Sequence, residues 1–432
     1  MTSRFAGQWM AVAAVLALAL VAPRPALAMP KYEKDFSAHV SLEQEYTDNL
    51  RLSSQNGGEE YINAVRPGFS VAAVSEASGI KADYDFAARY YWKMADEFIE
   101  HNARGNVWQQ WENLRFDSGG SFSRSEYPIE LRSGSQAIVG LRDTVSPYYR
   151  AGATPGFSWL FGAERFLRVG YNWSSYWSND RRYQNSQQNA PNATLTYGLN
   201  QWNVVTLGYT FERASFSEGT FSNTRSFHAD RANGAFTHRL SEVLNATASY
   251  SYGNIDFKVG PGYRTHNGTL GTSWQASEHT AVNLSAGYFL IDRGTAGSSK
   301  GPVINGSVTR AIPQGSLSLA GNYGFGEDYY SSENLGPYKY WSVDAHGSYE
   351  LAERLSADAT AGFHRNQYVL RGRTDDYWTA GAGLSYLLRP WLKGRASWAY
   401  NSYDSSAGAG FTGRLWDFNV NTYLLGLTAT YD

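Results

Sequence analysis

The sequence predicts an all-β fold: a transmembrane antiparallel up-and-down β-barrel of about 20 strands, with about 18 as the alternative count. Three observations predict it. An export leader stands at the start of the chain. Segments in which apolar and polar residues strictly alternate then repeat to the last residue. Tight and loose connections take turns between them.

Residues 1–28 have the three parts of a secretory signal peptide. Arg4 is the positive start, 11–22 is an apolar run, and Ala26 and Ala28 frame an A-x-A cleavage site. The apolar run is about 12 residues, against the roughly 20 needed to span a bilayer as a helix. Met29 is the expected first mature residue, and 29–432 is read as a single outer-membrane barrel domain. Nothing downstream approaches the roughly 18 apolar residues of a helical span.

Composition supports the same reading. The 432 residues are 42% hydrophobic but 15% aromatic, with 31 Tyr and 14 Trp, rings with an apolar body and a polar tip. Such rings suit a membrane–water interface and also carbohydrate-binding surfaces. With 43 Gly against 13 Pro, the chain fits many strands joined by turns. Cysteine is absent, which excludes disulfides, thiol chemistry and a Cys-linked lipid anchor. Without Arg4 and Arg24 the mature chain keeps 35 basic and 39 acidic residues, so no basic footprint for nucleic acid exists.

The alternation is explicit in three stretches. In 244–253, Leu244, Ala246, Ala248, Tyr250 and Tyr252 oppose Asn245, Thr247, Ser249, Ser251 and Gly253. In 282–290, Val282, Leu284, Ala286, Tyr288 and Leu290 oppose Asn283, Ser285 and Gly287. In 355–363, Leu355, Ala357, Ala359, Ala361 and Phe363 oppose Ser356, Asp358, Thr360 and Gly362. Each is a strand with one apolar and one polar face. A soluble sandwich shares this pattern. The aromatic ends of the apolar faces and the small hydroxylated polar faces favour a barrel in lipid.

Short connections are expected at 75–79, 159–164, 241–243, 275–280, 313–315, 352–355 and 387–391. Long ones are expected at 53–60, 180–190, 215–223, 292–301, 326–337 and 402–413. That is the turn-and-loop asymmetry of outer-membrane barrels, with both termini on the periplasmic side. The segment 92–144 is harder to divide, because 106–112 also suits a helix. It reads as strands near 101–111 and 114–127 followed by an outer loop over 128–143.

The last strand sets Tyr423, Leu425, Leu427, Ala429 and Tyr431 outward against Gly426, Thr428 and Thr430. Its near-terminal aromatic resembles the signal read by the barrel-assembly machinery, although Asp432 follows it. Upstream, Trp416, Phe418 and Val420 fall on the other parity, which predicts a bulge near Asn421 or a strand end projecting above the membrane.

In hydrocarbon every backbone group needs a partner within the protein, so such strands must close into a ring. About 20 strands enclose more space than side chains fill, which implies passage through a lumen. The polar parity nominates Lys81, Asp83, Asp85, Arg89, Arg168, Asp344, His346, Asp358, His364, Lys393 and Arg395 as lumen-lining. Charges of both signs suit a neutral or weakly charged solute. A catalytic reading rests on Ser342, Asp344, His346 and Ser348 on one parity, with His364 on the next strand. Same-face neighbours lie about 7 Å apart, beyond hydrogen-bond reach. No enzyme activity, cofactor or metal is expected.

Residues 45–52, holding Tyr46, Asp48 and Asn49, are followed by 61–65 and then Arg66, Pro67 and Gly68. This opening resembles that of the β-barrel porin 2 family, outer-membrane proteins associated with exopolysaccharide loci. Residues 146–150, Ser-Pro-Tyr-Tyr-Arg, look like that family's mid-chain signature. The resemblance implies an outer-membrane pore for secreted or capsular polysaccharide, working with periplasmic export proteins among outer-membrane lipid and lipopolysaccharide. It implies that Asp48 and Asn49 organise the outer end of the first strand, and that Pro67 and Gly68 mark a strand irregularity. A general diffusion porin for small polar solutes and a loop-displaying adhesion barrel are the alternatives.

Overall fold

The computed structural model describes residues 32–431 except 55–56, 127–128, 132–138, 142–145, 181–182, 218–225, 295–296, 331–334, 370–371 and 409–415. The leader at 1–28 and most of the outer loop expected at 128–143 lie outside the described residues.

The strands in chain order are β1 (Glu33–Thr47), β2 (Glu60–Val74), β3 (Ser78–Tyr91), β4 (Asp96–Gln110) and β5 (Leu114–Ser125). A small hairpin follows, β6 (Ile129–Leu131) and β7 (Val139–Leu141). Then come β8 (Tyr148–Gly162), β9 (Arg165–Ser178), β10 (Ser186–Asn200), β11 (Asn203–Phe216), β12 (Phe227–Ser241), β13 (Leu244–Phe257), β14 (Tyr263–Ser277) and β15 (Thr280–Asp292). The chain finishes with β16 (Ser298–Ile312), β17 (Gly315–Asp328), β18 (Gly336–Ala352), β19 (Leu355–Tyr368), β20 (Arg373–Arg389), β21 (Leu392–Ala407) and β22 (Asp417–Tyr431).

All but β6 and β7 form one 20-stranded antiparallel sheet in chain order. It closes where β22 pairs with β1, from Ala38 opposite Tyr431 to Thr47 opposite Thr422. The count of twenty therefore holds and eighteen does not, because β4 and β5 form a hairpin within 92–144. Residues 106–110 are strand, not helix.

The outward parity stays bare. Leu270 is 70% exposed, Leu425 63% and Leu319 53%. A soluble sandwich would bury these side chains against a second sheet, whereas lipid would cover them here. Aromatic rings sit near both rims. Trp111, Trp159, Trp202 and Trp391 are exposed beside the short turns. At the opposite rim Phe363 lies 4.4 Å from Trp341 and 4.2 Å from Trp378, ring to ring.

Both described termini share the end that carries the two- and three-residue connections, here the turn end. The opposite, loop end departs from expectation in two ways. Strands run further into polar sequence than the alternation indicated. β16 starts at Ser298, and β21 continues to Ala407. One connection there, 92–95 between β3 and β4, is tight.

Of the irregularities expected from sequence, the one at Pro67 is present and the bulge at Asn421 is absent. β22 pairs with β21 in unbroken register from Leu392↔Ala429 to Asp404↔Asp417, so no bulge exists at Asn421. Its inward parity simply becomes apolar near the loop end, where Phe418 and Val420 are 2% exposed. At Pro67 the β2–β3 ladder omits residues 66 and 67 but resumes in the same register at Gly68↔Asp85. Proline lacks the N–H that a ladder rung needs.

Among the described residues, the wall is interrupted between β16 and β17. Their pairing ends at Ile304↔Tyr323. Above it β16 pairs only with β15, up to Ser298↔Asp292, and β17 only with β18, up to Asp328↔Gly336.

Candidate functional site

Residues paired across a ladder share a face, and ion pairs that meet over an intervening strand, in a wall whose other face is bare and apolar, mark the inner one. Two such contacts fix the inner face. Arg89 on β3 reaches Glu45 on β1 at 3.3 Å, and Arg168 on β9 reaches Asp117 on β5 at 2.6 Å. Propagated through the registers, they define two unlike arcs of the lumen wall, β1–β9 and β10–β17, with β18–β22 closing the ring between them.

The first arc, β1–β9, is charged. Arg66 bonds Glu43 at 2.6 Å and Glu100 at 3.4 Å, while Arg89 bonds Glu100 at 3.2 Å as well as Glu45. Two cations thus tie three carboxylates, and the Arg89–Glu45 pair is buried, each side chain 9% exposed. Nearer the turn end His39 Nε2 lies 3.1 Å from Asp85, and the Ser70 hydroxyl donates to Asp83 at 2.5 Å. Gly68 stands directly between His39 and Asp85 in both ladders. A Cβ there would sit 2.5 Å from His39 Cε1 and 2.6 Å from Asp85 Oδ1, so only glycine lets the pair meet over the intervening strand. Gly156 does the same for Arg168 and Asp117.

The second arc, β10–β17, is nearly uncharged. Among the described residues its inner parity carries charge only at Glu212, Arg231, Arg239 and Asp328. The remainder is mostly hydroxyl, amide or glycine. Thr237 and Thr247 hydroxyls lie 3.0 Å apart, Ser249 and Thr269 2.6 Å. Asn305 Nδ2 donates to Ser285 at 3.0 Å, and Asn322 Nδ2 to Ser342 at 3.3 Å.

The mouth at the loop end is filled from within. Leu52, Tyr377, Tyr403, Trp416, Phe418 and Val420 form one buried cluster, and Leu50, Ile62 and Tyr91 another. The largest packs the end of β17, with Tyr329 and Tyr330 just beyond it, against β11–β16. Phe325 packs on Phe289 of β15 at 5.8 Å, and Tyr329 on Phe227 of β12 at 5.0 Å. Arg231 Nη2 holds Glu327 at 2.5 Å and Arg231 Nε holds Glu212 at 3.3 Å. The Tyr263 hydroxyl donates to Glu327 at 2.6 Å, and the Tyr330 hydroxyl donates to Glu212. Burial and the neighbouring carboxylates push the Tyr329 and Tyr330 hydroxyls far above the usual phenol range, which keeps them protonated donors.

Of the lumen residues nominated from sequence, Lys81, Asp83, Asp85 and Arg89 share one face of β3. There they lie opposite Asn106, Arg104, Asn102 and Phe98 of β4. Arg168 is held by Asp117. Asp358 lies 3.6 Å from Arg395, and Lys393 lies opposite Thr428. His346 sits between Ser318 and Thr360. Asp344 bonds His364 at 2.9 Å. Ser342 stands opposite His364 but accepts its hydrogen bond from Asn322, and Ser348 pairs with Ser316 at 3.0 Å. The structure thus builds an Asp–His pair there, with the serine engaged elsewhere.

Sequence reasoning passed over Glu43, Glu45, Arg66 and Glu100, although the same parity rule applied to β1, β2 and β4 finds them. Glu327 had no such signal. It shares the parity of Leu317 and Leu319, which face outward lower on β17.

No protein-family model matches the chain, and a search of curated proteins also gives no match. Solved structures do resemble it. The siderophore receptor PirA from Pseudomonas aeruginosa aligns with a TM-score of 0.55 at 11% identity, covering 93% of this chain and 81% of that one. The ferric-catecholate import receptor Fiu from E. coli K12 gives 0.55 at 11%, covering 94% and 82%. A ferric enterobactin receptor mutant from P. aeruginosa in complex with enterobactin gives 0.54 at 10%, covering 93% and 82%. The fold is that of an outer-membrane β-barrel.

Proposed function

We propose that this chain is an outer-membrane transport barrel of the β-barrel porin 2 type, whose lumen conducts an uncharged, hydroxyl-rich polymer such as secreted polysaccharide. The observation that carries this is the β10–β17 arc. A wall of Ser, Thr and Asn offers both donors and acceptors without a fixed charge, which matches sugar hydroxyls and gives an ion little reason to dwell. Bonds among those side chains are single and neutral, so a passing hydroxyl exchanges with them at little net cost. In this reading the loop end is extracellular, the leader at 1–28 directs export, and the terminal strand engages the assembly machinery. Periplasmic export proteins then feed the turn end.

The experiment is conductance of the purified barrel in planar bilayers, with neutral and polyanionic oligosaccharides of equal length. Neutral oligomers should block the current more often and for longer. In cells, deletion should abolish secreted polysaccharide while small-solute uptake is unchanged. Equal block by both oligomers, or loss of small-solute uptake, would favour the general diffusion porin, a reading that the charged β1–β9 arc supports.

A further inference from the structure

We infer that a hollow in the lumen wall across β15–β18 is a binding subsite for one neutral pyranose unit, with Asp344 as its hydroxyl acceptor. The inference rests on the conduit reading. Two rungs of the ladder build the hollow. One aligns Ser285, Asn305, Asn322 and Ser342 and continues to His364 of β19. The other aligns Asn283, Ser307, Ala320 and Asp344 and continues to Gly362. Asn283, Ser285, Asn305, Ser307, Asn322 and Asp344 line a cavity of about 450 Å³. That lies within the roughly 300–1,000 Å³ of small-molecule sites.

Residue size makes the hollow. In its own rung Asp344 stands between Ala320 and Gly362, so no bulky neighbour covers the carboxylate from either strand. His364, itself 7% exposed, reaches Asp344 Oδ1 from the adjacent rung at 2.9 Å and fixes that oxygen. Asp344 Oδ2 has no hydrogen-bond partner among the described residues, and the side chain is 41% exposed.

The chemistry around it is amide and hydroxyl. Asn305 Nδ2 bonds Ser285, Asn322 Nδ2 bonds Ser342, and Asn283 Nδ2 donates to Ser307 at 3.4 Å. Each bond uses one N–H of a carboxamide and leaves a second N–H and the carbonyl oxygen for a ligand. A carboxylate accepts strongly from a hydroxyl, and the amides beside it both donate and accept. Adjacent hydroxyls of a pyranose need that combination. A carboxylated or sulfated sugar would instead set like charges together. The next rung toward the loop end carries Val303 on β16 and Tyr340 on β18, which are 7% and 8% exposed. The subsite is therefore the last amide- and hydroxyl-lined rung before the packed mouth.

The test is single-channel block in planar bilayers by maltohexaose and by its fully O-methylated form, which has no hydroxyl to donate. Maltohexaose should dwell several-fold less long in Asp344→Asn than in wild type. Ala320→Leu fills the hollow without altering a hydrogen-bonding group and should shorten the dwell as much. Glu350→Gln, on the same face of β18 near its turn end, should leave it unchanged. The O-methylated oligomer should not distinguish Asp344→Asn from wild type. If Asp344→Asn holds maltohexaose as long as wild type does, the subsite is overturned and the conduit stands. An equal loss for the O-methylated oligomer would also overturn it, because hydroxyl donation would not be what Asp344 reads. If maltohexaose blocks neither wild type nor any variant, the conduit reading falls and the subsite with it.

Discussion

Asp48 accepts two hydrogen bonds from Asn421, 373 positions away, one from its backbone N–H at 2.7 Å and one from its side-chain amide at 2.8 Å. Next to it, Asn49 Nδ2 donates to the Asn419 carbonyl at 2.8 Å and to the Ser53 carbonyl at 2.9 Å. The first and last barrel strands are thus stapled at the loop end of their shared seam.

If these bonds hold the seam, Asp48→Ala and Asn421→Ala should be non-additive. The contact is exposed, so a coupling of about 1 kcal/mol is expected from a double-mutant cycle. Urea unfolding in detergent, followed by the heat-shifted gel band, measures it. Strict additivity would mean that the seam is held by its ladder alone.

Gly68→Val should destabilise the barrel by about 1–3 kcal/mol, because the added carbons collide with His39 and Asp85. His39→Ala should restore much of that loss in the double variant while costing little by itself. Failure of this rescue would place the strain in the backbone instead.

The two arginines of the charged arc should differ. Arg89→Gln leaves Glu45 buried without its cation and is expected to cost about 3–5 kcal/mol. Arg66 is more exposed, at 29%, so Arg66→Gln should cost less. Either change should shift reversal potential toward cations, since the three carboxylates remain. An unchanged reversal potential would show that permeating ions do not sample this arc.

Burial pushes the Glu126 carboxyl, just past the end of β5, up to about 7, against the opposing pull of Arg124. Its folded-state value lies above the ordinary carboxylate range, so the fold favours the protonated acid. The associated stability is fully present at low pH and is lost as pH rises through about 7. Glu126→Gln should flatten the stability slope over roughly pH 5–8. A slope that persists in the variant would assign the titration to another group.

Placing a charge in the neutral arc tests selectivity most directly. Asn305→Asp and Thr269→Asp should shorten neutral-oligosaccharide block several-fold while leaving barrel stability within about 1 kcal/mol, because both sites face the lumen. The same change in the charged arc, Asn102→Asp on β4 opposite Asp85, should leave sugar block unchanged.

Period-two alternation was legible because a barrel strand has two solvents, and each residue answers to one of them. That sufficed for the strands of 244–257, 280–292 and 355–368, and for the face bearing Lys81, Asp83, Asp85 and Arg89. It did not suffice for Trp416, Phe418 and Val420. Apolar residues on the inner parity look like a change of phase when nothing says that the mouth is packed. Nor did it suffice for Gly68, whose missing side chain matters only through His39 and Asp85 on either side.

By itself the sequence determined that strands alternate, that the first and last share an end, and that about twenty of them must close. These follow from rules local to one strand and its solvent. Only the tertiary structure decided that Glu327, on a lipid-type parity, turns inward to Arg231, and that charge gathers on one arc while hydroxyls line the other. Those depend on which strands face each other across the lumen, and no period along a single strand encodes that.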